Sequence, residues 1–140
     1  MLEWDEKSEQ VSKITPDKEK ASSLSQIVSL RERSINAMKP DEFSTLIVEG
    51  YYEIIKELIT AIMSVDGWKT VSHEMLIGYL AEFYGEFSSS ELHAIDQLRK
   101  TRNDIAYRGV MIKHEYLTRN KASILEIIKK LKQTLIAKMK

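Results

Sequence analysis

The sequence predicts an all-α fold, a five-helix bundle of the up-and-down type. Three observations predict it. Apolar residues recur at spacings of three and four through most of the chain. Five glycines and two prolines in 140 residues signal few turns, so the helices are long. Cap and stop residues stand at the ends of the periodic segments. No internal repeat is visible, and no stretch alternates as a half-buried strand does. The length suits one domain, and an apolar content of 43% supplies one core.

Taken in order, residues 1–14 carry only Leu2, Trp4, Val11 and Ile14 as large apolar groups. They read as a tail or a short docking segment, with a single helical domain over 15–140. Thr15 as N-cap and Pro16 at the first helical position open a helix that runs to about Met38. Its stripe is Leu24, Ile27, Val28, Ile35 and Met38. Pro40 ends it, and Asp41 caps a second helix from about Glu42 to Val65. Phe43, Leu46, Ile47, Tyr51, Ile54, Ile55, Leu58, Ile59, Ile62 and Met63 make this the most apolar segment. A stripe so wide predicts a central helix with several neighbours, and Gly50 within it predicts a close helix approach.

Asp66-Gly67 is a stop and turn, and Ser72 caps a third helix ending near Gly85. Leu76, Ile77, Leu80, Phe83 and Tyr84 face inward in this reading. Ser88-Ser89-Ser90-Glu91 caps the fourth helix, and Gly109 stands where a C-terminal glycine cap belongs. The last helix runs from about His114 to Ala137, with Leu117, Ile124, Ile127, Ile128, Leu131 and Leu135 on its core face. Its lysine-rich end, 129–140, is read as a solvated face with favourable dipole charges or as a nucleic-acid or membrane contact.

Composition removes several function classes. Lys+Arg and Asp+Glu both count 21, so no global basic field exists to bind nucleic acid indiscriminately. Without cysteine there are no disulfides, thiolate metal sites or cysteine nucleophile. The acidic start MLEWDEKSEQ does not read as a secretory signal, and no apolar run approaches the ~18–20 residues of a membrane span. The expectation is a cytoplasmic protein with no membrane contact. His73, His93 and His114 lack the i, i+4 pairing of helical zinc sites and read as helix-end or surface residues, so no metal and no cofactor are expected. Glu49, Glu53 and Glu57 form a row along the second helix, read as a solvated face because the Glu-x-x-His partners of a di-metal bundle are missing.

The fourth helix departs from this pattern. Leu92, Ile95, Leu98 and Ile105 make its apolar face, with Arg102 in the middle and Arg99 on the edge. A charge on an apolar stripe needs a partner or a use. Asp96, Arg99, Arg102, Asn103 and Tyr107 fall on one side by i, i+3 and i, i+4 relations, and Asp96 is placed to orient Arg99. Three readings follow: a buried arginine tied to a carboxylate or to helix carbonyls, a polar seam that specifies a homodimer, or a phosphate-binding groove.

The stretch LRKTRNDIAYRG, 98–109, resembles the signature helix of the HEPN superfamily, in particular its small stand-alone prokaryotic and archaeal members. The preceding order fits as well: a long apolar helix ending in Asp66-Gly67-Trp68, then SHEMLIGYL, then the arginine helix and a long final helix. The resemblance covers roughly 40–138, and RNDIAYRG is its specific core. It implies a helical bundle that forms a homodimer, with the arginine helices of two protomers meeting in a cleft. Many such proteins are metal-independent endoribonucleases with an Arg, four to six residues, then a His. Others partner minimal nucleotidyltransferases in toxin–antitoxin pairs.

Arg102 matches the family arginine and Asn103 the polar residue after it. The histidine is missing. Its permitted positions hold Tyr107, Arg108 and Gly109 counted from Arg102, and Asp104, Ile105 and Ala106 counted from Arg99. A tyrosine with a pKa near 10 is a poor proton shuttle at neutral pH. The resemblance therefore implies a degenerate cleft that binds RNA or a nucleotide phosphate through Arg99, Arg102, Asn103 and Arg108, oriented by Asp96. A homodimer and a nucleotidyltransferase are the implied partners. The alternatives are an active endoribonuclease using Arg102 with Tyr107, and a module that serves only dimerisation.

Overall fold

A computed structural model describes residues 3–140, so Leu2 lies outside the described residues. Seven elements follow in order: strand β1 (Val11–Lys13), helices α1 (Lys18–Ala37) and α2 (Pro40–Asp66), strand β2 (Trp68–Thr70), and helices α3 (His73–Phe83), α4 (Ser89–Arg108) and α5 (His114–Met139). The fold is mostly α, with five helices as expected. The two short strands are a correction. They pair antiparallel, with Val11 opposite Thr70 and Lys13 opposite Trp68. A three-residue strand is too short to declare itself by alternation, and its partner lies more than fifty residues away in sequence.

Helix α2 is the axis of the molecule. It contacts each of the other four helices, most extensively α1 and α5. Tyr52, Ile54, Ile55, Leu58, Ile59, Ile62 and Met63 are all buried, so the wide stripe is used on every side. Gly50 marks a close approach: a Cβ there would lie 2.9 Å from Ile35 Cδ1 of α1. The whole predicted core face of α5 is buried.

Several boundaries shift for local reasons. Asp17, not Thr15, caps α1 and accepts from Lys20 N at 2.9 Å. Pro40 opens α2 instead of only closing α1, because a first-turn residue needs no N–H. Lys39 is the N-cap there, and Phe43 kinks the first turn (φ −109°, ψ 20°). Ser72 accepts from Met75 N, and Ser88 and Glu91 form the reciprocal capping box of α4. Gly67 (φ 91°) and Gly109 (φ 65°) end α2 and α4 in the left-handed region, which favours glycine. Ile27, Leu46 and Phe83, read as inward, are exposed. Periodicity gives a face to each helix, but the angular width of that face depends on where its neighbours stop.

The segment before α1 is docked on the bundle. Trp4 packs edge-on against Trp68, Tyr79 and Phe83 at centroid distances of 5.3, 5.1 and 5.9 Å. Ile14 N donates to Gly67 O and Asp17 N to Ser64 O, tying this segment to the end of α2. Nearby, the Asp66 carboxylate accepts from the hydroxyls of Tyr79 and Tyr84 and pairs with Lys138 at 2.5 Å. The ends of α2, α3 and α5 are joined at this one carboxylate.

Candidate functional site

The site is built on the α4 face that meets α2 and the start of α3. Leu92, Ile95 and Leu98 are buried and Ile105 packs on the core, which fixes the rotation of α4. That rotation brings Asp96, Arg99 and Arg102 to the edge of the interface, opposite Tyr52, Glu53 and Lys56 of α2 and His73 and Glu74 of α3.

The two central arginines are satisfied to different degrees. Arg99 has a side chain 12% exposed, and two of its three guanidinium nitrogens are firmly engaged. Its Nε and Nη2 both reach Asp96 Oδ1 at 2.9 Å, and Nη1 stands 3.7 Å from Glu74. This is the predicted Asp96–Arg99 pair, and Lys100 adds a looser contact to Asp96 at 3.5 Å.

Arg102 is 19% exposed and poorly partnered. Its Nη2 is 3.4 Å from Glu53, its Nη1 is 3.5 Å from Asn103 Oδ1, and its Nε is buried with no hydrogen-bond partner. These distances lie beyond the normal 2.7–2.9 Å of a charge-assisted bond. The guanidinium lies 6.0 Å from the ring centroid of Tyr52 and 6.0 Å from that of Tyr107. Tyr52 is buried and Tyr107 is 77% exposed, so one of these rings belongs to the core and the other is a surface side chain.

The carboxylate row on α2 is not a solvated face, which corrects the expectation. Glu57 is buried and receives Arg31 of α1 in a bidentate pair at 2.8 and 3.1 Å. Glu53 bonds Lys56 at 2.5 Å as well as facing Arg102. Burial works against its carboxylate. The Lys56 bond and the nearby charges of Lys56, Arg102 and Arg31 together outweigh that and hold its pKa below the usual range. Arg108, expected to bind phosphate, is exposed at the end of α4 and bonded to Asp104 at 3.2 Å. It stands apart from the Arg99–Arg102 cluster in its partners.

His73 is the residue that sequence reasoning missed. Its spacing in the sequence marks a helix-end or surface histidine. It does open α3, but it is half-buried and its Nδ1 lies 2.9 Å from the Tyr52 hydroxyl. Burial first, then the charges of Lys56, Arg102 and Arg99, push its pKa down, against the opposing charge of Glu53. No local signal announces this, because its neighbours come from α2 and α4. His93 and His114 are exposed.

Among the described residues, no group of three or more His, Cys, Asp or Glu is arranged to hold a metal ion. Also among them, no helix is long and apolar enough to cross a membrane. No family model matches the chain, and no curated protein or solved structure is significantly similar to it.

Proposed function

We propose that this chain is a HEPN-like helical module that binds a phosphate of RNA or of a nucleotide at Arg102, in a cleft completed by a second copy. The single observation behind this reading is the incomplete satisfaction of Arg102. A buried guanidinium nitrogen without a partner costs on the order of 1–3 kcal/mol. A phosphate oxygen is the acceptor that fits such a fork, and it would replace the long Glu53 contact. Arg99, already held by Asp96, shapes the site and contributes charge. Asn103 and the exposed ring of Tyr107 orient the ligand. Glu53, Glu74 and Asp96 balance Lys56, Arg99 and Arg102, three charges against three, so the affinity is modest and its salt sensitivity is that of about one phosphate contact. The partner nucleotidyltransferase belongs to this proposal through the resemblance of residues 98–109 alone.

The test is RNA binding by the wild type and Arg102→Ala at two salt concentrations, with light scattering and thermal melts of both. Loss of salt-sensitive binding, with mass and melting temperature unchanged, supports the phosphate cleft. Cleavage of RNA in EDTA that vanishes in the variant would replace the degenerate cleft with a nuclease. If Arg102→Ala leaves RNA binding intact and only melts the protein or splits a dimer, the arginine is structural and the proposal fails.

A further inference from the structure

A histidine and a tyrosine stand beside Arg102 although neither is near it in sequence. Tyr52 is the link, since its hydroxyl bonds His73 Nδ1 at 2.9 Å and its ring lies 6.0 Å from the Arg102 guanidinium. The direction of that hydrogen bond follows from the surroundings. Burial raises the pKa of Tyr52 above its ordinary value, against the opposing charges of Arg99 and Arg102, so the hydroxyl keeps its proton at neutral pH. The imidazole is in turn disfavoured as a cation by burial and by three positive side chains. Tyr52 is buried and its hydroxyl has no other hydrogen-bond partner among the described residues, so a donating Nδ1 would leave the hydroxyl proton unmet; the favoured arrangement has Tyr52 donating, Nδ1 accepting and the imidazole proton on Nε2. Among the described residues, Nε2 has no hydrogen-bond partner, and it is not among the buried unsatisfied atoms. The structure thus holds an oriented N–H donor that the chain itself does not use.

We propose that His73 is a ligand-binding residue of the Arg102 site, its Nε2–H donating to a tetrahedral oxyanion that Arg102 holds by charge. This rests on the phosphate-binding reading and extends it to a residue outside the α4 motif. The chemistry is that of a phosphate group with at least two free oxygens, one for the guanidinium and one for the imidazole. The groups facing this position are Tyr52, Glu53 and Lys56 from α2, Glu74 from α3, and Asp96, Arg99 and Arg102 from α4. A bound anion offsets the three cations among them, so it favours the protonated imidazole and raises the His73 pKa by linkage. The free protein holds His73 neutral, and the complex holds it closer to titration.

The experiment is a titration of the full chain, with nitrogen-15 in its three histidines, by inorganic phosphate at constant ionic strength. His73→Gln assigns the resonance and keeps an N–H donor of similar reach. The free protein should show the Nε2–H tautomer at His73. Phosphate should shift that resonance saturably and raise its midpoint pH, leaving His93 and His114 unmoved. His73→Ala should weaken phosphate binding about tenfold, and His73→Gln by less than about threefold. The wild-type spectra keep the proposal testable even if His73→Ala fails to fold. Phosphate binding that depends on Arg102 but leaves the His73 resonance and pKa unchanged overturns this inference and spares the cleft. No saturable phosphate binding at all overturns both.

Discussion

Replacing Gly78 by alanine should expel Trp4 from the aromatic cluster. An added Cβ would lie 2.8 Å from Trp4 N, 2.9 Å from Glu3 C and 3.2 Å from Glu3 O. These are backbone atoms, so no side-chain rotation relieves the clash. The chain at residues 3–4 must lift away from α3, and the indole leaves with it. Two terms oppose the loss. Alanine in place of glycine favours the helix by about 1 kcal/mol. Releasing Trp4 also returns to water an indole N–H that is buried without a partner, which recovers about 1–3 kcal/mol. Against them stands the removal of a large aromatic side chain, about 3–5 kcal/mol from a full core site. It also includes three edge-on ring contacts worth roughly 0.5–1.5 kcal/mol each beyond buried area.

With the ring contacts counted inside the 3–5 kcal/mol, these terms leave Gly78→Ala between about −1 and 3 kcal/mol, centred on a destabilisation of about 1 kcal/mol, or a melting temperature lower by roughly 3–5 °C in a domain of this size. Fluorescence gives the direct readout, because the chain has two tryptophans and both lie in this cluster. Emission should move to the red and become more open to acrylamide, while the helical circular dichroism signal stays. A variant as stable as the wild type, with its emission still blue and shielded, would refute the reasoning that the Trp4 backbone rests on Gly78.

Gly50→Ala provides the contrast, since the atom it meets is the far end of the flexible Ile35 side chain. It should be neutral to stabilising, by up to about 1 kcal/mol in a urea melt. Alkaline titration probes the Asp66 junction. Burial, and then its bond to Asp66, push the Tyr84 hydroxyl up to about 12, with Lys138 opposing. A hydroxyl whose pKa is raised on folding contributes stability that is complete below pH 10 and lost as pH rises through about 12. Urea midpoints should therefore fall between pH 10 and 12, and Tyr84→Phe should lessen that fall, the remainder belonging to Tyr79, Tyr52, Tyr51 and Lys138, whose pKa values are also raised on folding.

What was legible in the sequence is what is decided locally. The capping box Ser88–Glu91, the Ser72 cap, the left-handed Gly67 and Gly109, and the Asp96–Arg99 pair each depend on residues within four positions of one another. The close approach at Gly50 was legible because a glycine within a strong helical stripe has few other uses. What was not legible depends on where neighbours fall in space. The row Glu49, Glu53 and Glu57 reads as solvated because its spacing cannot show that α1 lays Arg31 across Glu57. β1 and β2 exist because the chain before α1 returns to the end of α2. His73 gained its meaning from a hydroxyl on another helix, and neither sequence spacing nor composition carries that information.

Arg31 supplies an internal standard for judging Arg102. Both arginines stand beside a carboxylate of α2, and one turn of that helix separates the two carboxylates. When this protein uses an arginine to hold helices together, the fork is matched: Nε and Nη2 of Arg31 meet the two Glu57 oxygens at 2.8 and 3.1 Å. Arg102 lies deeper, where an unmet donor costs more, yet its Nε is unpaired and its nearest carboxylate is 3.4 Å away. Depth and poor pairing together are the wrong combination for a structural arginine. They fit the proposed role of Arg102 as a cation positioned by its surroundings to meet a phosphate. Glu53 is committed first to Lys56 at 2.5 Å, so the proposed anion would displace only the 3.4 Å contact. The arginine on the apolar stripe of α4 is unusual less for being buried than for being left incompletely bonded where burial makes that costly.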